Sequence, residues 1–341
     1  MSRDQQIQQW IARHVALRYS DGGISVTPAS ADASFRRYFR LALPDGGTRI
    51  LMDAPPDKED CRPFLRVAAL LAGAGVCVPD IEIADVENGF LLLSDLGRVG
   101  YLAALQADPG LADTLMRSAL DALTRWQRAS RPGVLPPYDA ALLRRELQLF
   151  PEWFIARHLG KTLTAAQQQD LDTLFQRLTD AALAQPRVFV HRDFMPRNLM
   201  VVESAAAPTP GVLDFQDAVH GPIAYDVVSL FRDAFISWEE AQELDWVVRY
   251  WEKARAAALP VPADFGDFWR DYEWMGLQRH LKVLGIFCRL NYRDGKAHYL
   301  DDLPRFVAYA KKTANRYNAL KPLLTLFDAL ENTSAESGLT F

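Results

Sequence analysis

Asp193, Asn198 and Asp214 are the residues of this chain whose types and spacing could do chemistry. They lie in His191-Arg192-Asp193-Phe194-Met195-Pro196-Arg197-Asn198 and, 21 residues beyond Asp193, in Leu213-Asp214-Phe215. An Asp, an Asn five positions on, and a second Asp behind a short apolar hairpin are what ATP-dependent phosphorylation of a hydroxyl requires. Asp193 could orient the acceptor hydroxyl and take its proton. Asn198 and Asp214 could give hard oxygen ligands to Mg²⁺ on the nucleotide phosphates, because that cation takes only one or two ligands from protein. Any one of these acids alone would read as a loop cap or a surface charge. The order of all three, with apolar segments before and between them, makes the kinase-type reading the stronger one.

Short strands must position these groups. Val188-Phe189-Val190 precedes the loop, Leu199-Met200-Val201-Val202 follows it, and Gly211-Val212-Leu213 leads into Asp214, with the polar stretch 203–210 between the last two. Functional groups at strand ends sit on loops held by a rigid frame. His191 is expected to hold the loop by hydrogen bonds rather than to react.

At these residues the chain resembles the aminoglycoside phosphotransferase and choline kinase group. The match is H-x-D-x-x-x-x-N, then D-F, then Gly221-Pro222-Ile223-Ala224-Tyr225-Asp226. The resemblance implies an α+β, bilobal protein-kinase-like fold, with a small N-terminal β-sheet lobe and a larger, mainly helical C-terminal lobe. It also implies that Asp226 braces the catalytic loop. Only 12 residues separate Asp214 from Asp226 and no A-P-E follows, which leaves no room for a long activation segment and favours a small-molecule acceptor.

Three further stretches resemble the bacterial amino-sugar kinases of cell-wall recycling, which act on N-acetylmuramate and N-acetylglucosamine. They are Ser34-Phe35-Arg36-Arg37-Tyr38-Phe39-Arg40, Met52-Asp53-Ala54-Pro55-Pro56, and the run from Leu277 to Phe287. That resemblance implies transfer of the ATP γ-phosphate to the anomeric C1 hydroxyl, giving an α-1-phosphate that feeds UDP-sugar synthesis. The residues alone give a small-molecule hydroxyl kinase. An aminoglycoside, choline or homoserine acceptor remains open, as does a catalytically inactive nucleotide-binding regulator.

Composition fits a soluble enzyme. The chain has 341 residues, 49% of them hydrophobic, enough for two cores. A net charge of −5 gives no basic excess to attract nucleic acid. No apolar run reads as a signal core or a membrane span, and Cys61, Cys77 and Cys288 lack metal-like spacing. The expectation is a cytoplasmic monomer with ATP and Mg²⁺ as cofactors and an amino sugar as its partner.

The expected division is a nucleotide-covering lobe over 1–95, a catalytic and acceptor-binding lobe over 96–331 and a loose tail over 332–341. In the first, 5–19 reads as a helix carrying Ile7, Trp10, Ile11 and Val15 at helical spacing. Segments 35–43 and 48–52 read as a hairpin turned at Pro44-Asp45-Gly46-Gly47. The small-residue run 29–34 occupies the place of a glycine-rich phosphate loop, which makes Ser30, Ala31 and Ser34 candidate nucleotide contacts. Kinases of this kind carry a lysine on the third strand, but Arg49-Ile50-Leu51-Met52-Asp53 has none. Arg36, Arg37, Arg40 and Arg49 are the nearby cations, with Arg37 favoured. The apolar segment 89–97 reads as the hinge strand, with Ser94 and Leu96 beside adenine.

Beyond it, 111–129, 140–158 and 164–184 carry apolar residues at helical spacing. On the late helix, Arg279, Lys282, Arg289 and Arg293 cluster opposite Leu281, Leu284, Phe287 and Cys288. This basic side could face the acceptor and meet a sugar carboxylate, with Arg279 and Lys282 as the candidate substrate contacts. The alternative is a solvated face paired with acids such as Asp271.

Overall fold

A computed structural model describes residues 2–19, 23–31, 35–202 and 209–336. It contains an N-terminal antiparallel sheet and a mainly helical C-terminal part, the expected fold class. The chain separates into two compact units, Met1–Ala122 with Arg197–Asp217, and Leu123–Pro196 with Ala218–Phe341. These are not the 1–95 and 96–331 lobes expected from the sequence. The strand pair around Asn198 belongs with the N-terminal residues because its backbone hydrogen bonds go there: Val201 N–H to Val99 O and Val212 N–H to Cys77 O, both 2.8 Å.

The first unit opens with α1 (Arg3–Trp10), capped by Ser2, whose hydroxyl accepts Gln5 N–H while the Gln5 side chain accepts Ser2 N–H. The chain continues through a π-helical segment, Ile11–Ala16, into the single turn α2 (Leu17–Tyr19). A five-stranded antiparallel sheet follows, in the order β1-β2-β3-β5-β4: β1 (Ser25–Ala31), β2 (Arg37–Ala42), β3 (Thr48–Asp53), β4 (Ile81–Asp85) and β5 (Phe90–Ser94). Ile7, Trp10, Ile11 and Val15 pack on Leu41, Leu51, Phe90 and Leu92, so the helical spacing seen in the sequence is the face that covers the sheet. Each such side chain contributes about 1.5–3 kcal/mol when fully buried. Helix α3 (Cys61–Gly73) lies between β3 and β4 in the chain, capped by Asp60; α4 (Tyr101–Ala107) follows β5, and α5 begins soon after it (Ala112–Arg128). The hairpin β7 (Leu199–Val202) and β8 (Thr209–Val212) completes this unit.

In the second unit, α6 (Ala140–Leu147) leads into a π-helical segment, Phe150–His158, and then α7 (Ala165–Ala184). Strand β6 (Arg187–Val190) pairs antiparallel with β9 (Val219–Pro222). Then come α8 (Tyr225–Phe231), α9 (Glu240–Ala256), α10 (Phe265–Asp294), α11 (Leu303–Arg316) and α12 (Lys321–Glu336). The 30-residue α10 is the axis, touching α6, α7, α8, α9, α11 and the 150–158 segment. Gly285 permits a close approach to Leu149, just before the 150–158 segment, since a Cβ there would lie 2.3 Å from the Leu149 carbonyl. The core comprises Phe150, Phe154, Leu174, Leu281, Leu284, Phe306 and their neighbours. Cys61 and Cys288 are buried and Cys77 half-buried, all as free thiols. No helix among the described residues is long and apolar enough to cross a membrane.

Candidate active site

The Asp193 loop belongs to the second unit and leaves the buried strand β6. The backbone N–H groups of His191 and Arg192 both donate to the Asp226 carboxylate, at 2.7 and 3.0 Å. Asp226 stands in the first turn of α8 and is completely buried. Burial pushes its carboxyl up to about 7, while the two N–H donors and the charge of Arg279 oppose the rise. The Asp193 N–H donates to His191 Nδ1 at 3.2 Å, and Met195 N–H to Asp193 O at 3.0 Å. The loop backbone is thus held on both sides of Asp193.

Arg192 adopts φ 79°, a left-handed conformation that costs a non-glycine residue roughly 1–2 kcal/mol. Its surroundings hold it there: the N–H is fixed by Asp226, and Nη2 reaches Glu146 Oε1 at 2.5 Å. Glu146 also pairs with Lys282 Nζ at 2.9 Å and accepts the Tyr138 hydroxyl. Burial pushes the Glu146 carboxyl up, but the charges of Lys282 and Arg192 and the Tyr138 hydrogen bond outweigh it, lowering the pKa to about 2. Sequence reasoning missed Glu146. The available signal was its place between Leu143, Leu147 and Phe150, an acid in the apolar stripe of its helix.

Asn198 and Asp214 belong to the first unit. Asn198 closes the 3₁₀ turn Pro196–Asn198, and its carbonyl accepts Leu213 N–H at 2.9 Å. Leu199 and Val212 are register partners, so Asn198 lies opposite Leu213, the residue before Asp214. Asp214 takes φ 61°, and its Oδ1 accepts Gln216 Nε2 at 2.9 Å. A carboxamide and a carboxylate at one hairpin end fit Mg²⁺, which prefers hard oxygen donors and retains several waters.

The nucleotide contacts expected in this unit meet a different arrangement. Ser30 and Ala31 are not in a loop: they end β1, opposite Tyr38 and Arg37. A run of small residues can pair as an edge strand as readily as it can form a phosphate loop. Ser34 and the side chains of Ser30 and Ala31 lie outside the described residues. Arg37 binds Asp53 and Asp4 at 2.7 and 2.9 Å, so its guanidinium ties β2 to the end of β3 and to α1. Arg40 is bidentate to Asp95 at 2.6 and 3.1 Å, and Arg49 pairs with Glu82 at 2.5 Å. The Ser94 hydroxyl accepts Asp80 N–H at 2.8 Å. Leu96 packs on Gly211, where any larger residue would press into it.

In the second unit, the expected basic side of the late helix is internal rather than open. Arg279 is 4% exposed and Lys282 7%. Lys282 is engaged by Glu146 and by the Tyr225 hydroxyl at 3.0 Å, so it is an internally paired cation rather than the open one expected. The correction has a physical cause: a helical wheel separates polar from apolar faces but cannot show that a neighbouring helix brings a matching acid. Arg279 differs. Its Nη2 lies 3.9 Å from Met195 Sδ, two residues beyond Asp193, and its buried Nε has no hydrogen-bond partner among the described residues. Asp271 pairs weakly with Arg270.

Residues 25–263 match the sequence profile of the phosphotransferase enzyme family. The chain is 56% identical over 305 residues to an N-acetylmuramate/N-acetylglucosamine kinase of Pseudomonas aeruginosa, covering 89% of this chain and 88% of that one. It is 48% identical to a kinase of the same name from Neisseria meningitidis serogroup B, over the full length of both. Among solved structures, the GDP complex of wild-type aminoglycoside 2'-phosphotransferase-IIIa superposes with a TM-score of 0.61 at 16% identity, covering 93% of this chain and 100% of that one. With the profile spanning more than half of its length, the chain belongs to the phosphotransferase enzyme family.

Proposed function

We propose that this chain transfers the γ-phosphoryl group of ATP to the anomeric C1 hydroxyl of N-acetylmuramate and N-acetylglucosamine, with Mg²⁺ as the metal. One observation carries the reading. Asp193 stands on a loop whose backbone is held by Asp226 and His191, and two oxygen donors end one hairpin, in a chain about half identical to kinases of that name. Asp193 accepts the C1 hydroxyl proton as the oxygen attacks the γ-phosphorus. The bond from that phosphorus to the β–γ bridging oxygen breaks, and ADP leaves. Asn198 and Asp214 hold Mg²⁺, which when bound neutralises charge on the phosphates. Such catalysis rests on positioning and charge rather than on a covalent intermediate.

Arg279 is the residue we assign to the acceptor. A buried guanidinium with an unpartnered Nε beside the catalytic loop favours an anion, and the lactyl carboxylate of N-acetylmuramate supplies one. We assign the reaction to the cytoplasm, where ATP and reduced thiols coexist, with the protein acting as a monomer.

The test is ADP release from MgATP with N-acetylmuramate, N-acetylglucosamine, kanamycin, choline and homoserine offered separately, followed by analysis of the product. Turnover confined to the two amino sugars, with loss of the reducing end, is expected. Turnover of another acceptor alone would overturn the substrate. Silence on all five with ATP still bound would favour the inactive regulator.

A further inference from the structure

The third strand offers no free cation for phosphate. β3 has one basic residue, Arg49, and its guanidinium lies on Glu82 and near the Tyr19 ring. Arg37 lies on Asp4 and Asp53, and Arg40 on Asp95 and the Gly97 carbonyl. Each of these pairs ties one strand to a neighbouring element.

Arg36 stands apart. It immediately precedes β2, and its Nε meets Glu59 Oε2 at 3.3 Å. The other Glu59 oxygen accepts Phe35 N–H at 3.3 Å, so one carboxylate holds both the backbone and the side chain at the start of this strand. Glu59 directly precedes Asp60, the cap of α3. That helix carries Phe64, whose ring packs 4.7 Å from the ring of Phe215, the residue after Asp214. The Arg36–Glu59 pair and the carboxylate assigned to the metal are therefore linked through one helix within one unit.

We propose that Arg36, oriented by Glu59, is the cation that receives the nucleotide's α- and β-phosphates, the role that a third-strand lysine paired with a helix glutamate fills in protein kinases. The inference rests on the ATP-dependent reading above. An arginine suits it chemically, because its planar fork offers two parallel donors to phosphate oxygens where lysine offers a point charge. Arg36 is also within electrostatic reach of Asp214.

The experiment titrates adenosine, ADP and ATP, with Mg²⁺, into wild type, R36M, R36K, E59Q and R37M by calorimetry, and follows turnover of N-acetylglucosamine alongside. R36M is expected to weaken ADP and ATP by about 10- to 100-fold, the range of a charged hydrogen bond, and to leave adenosine unchanged. R36K should lose part of that affinity, and E59Q a smaller part. R37M should change neither. An R36M protein that binds ADP and ATP as wild type does, or that loses adenosine equally, overturns the proposal. If R36M does not fold, R36K decides it, and wild-type affinities for ADP and ATP there would reject the role. The failure of the wider reading looks different: wild type would bind the nucleotides yet turn over no sugar.

Discussion

Charge is handled differently in the unit that carries Asp193 and in the unit that carries Asn198 and Asp214. Around Asp193 the charges are buried and matched internally. Glu146 sits between Arg192 and Lys282, and Asp226 closes on two backbone N–H groups. In the unit of Asn198 and Asp214 three arginines are partly open to solvent, Arg3 on Asp53, Arg37 on Asp4 and Asp53, and Arg49 on Glu82, while Arg36 and Arg40 are more buried. The contrast follows from the two tasks. A group that takes a proton must be aimed, and buried pairs break at high cost, so they fix a loop. The half-exposed arginines tie strands of the sheet to neighbouring elements, and each such pair contributes little stability.

The largest test of this contrast is Asp193→Asn, which should lower kcat by about 10²- to 10⁴-fold and leave the melting temperature near that of wild type. Near-native turnover would sink the assignment of Asp193. Asp214→Asn comes next. Removing a metal carboxylate should cost roughly 10²- to 10³-fold in kcat/KM and move the Mg²⁺ titration to higher concentration. An unchanged Mg²⁺ curve would place the metal elsewhere.

Glu146→Ala should act on the fold first, because it leaves Lys282 and Arg192 without their acid. A loss of about 3–5 kcal/mol in urea unfolding is expected. A loss below about 1 kcal/mol would mean that the cluster holds little.

The same carboxylate sharpens the comparison through pH. Its folded pKa of about 2 lies below its ordinary value, so the unfolded chain binds the proton first as pH falls. Glu146 therefore adds stability above its unfolded value near 4.5, and that stability is lost as pH drops towards about 2. Glu146→Gln should flatten the stability curve across that window, and parallel curves for the two proteins would refute it. The smallest effect belongs to Arg37→Ala. A half-exposed pair gives ~0–1 kcal/mol, and the KM for ATP should stay within about twofold of wild type.

The local frame of the candidate site was legible in the sequence. The order of Asp193, Asn198 and Asp214 and the short strands around them could be read locally, because a strand's alternation and a loop's residue types are local properties. The hairpin β2–β3 and the face of α1 followed from turn residues and helical spacing in the same way. The small-residue run 29–34 reads as a loop, yet its first residues end the edge strand β1, since small residues carry no periodic signal and pairing with β2 is what makes them strand. Glu146 was passed over, and with it the pairing that buries Lys282.

What the sequence determined by itself was which side chains are on offer and their order along the chain: Asp193, then Asn198, then Asp214, and no lysine on the third strand. What only the tertiary structure decided was which charges meet. Lys282 and Glu146 come from distant segments, Arg192 holds its left-handed backbone through Asp226 and Glu146, and the hairpin around Asn198 packs with the N-terminal residues. Residue type and spacing set what a side chain can do. Its electrostatic partner, and so its role, is set by packing between segments that periodicity cannot relate.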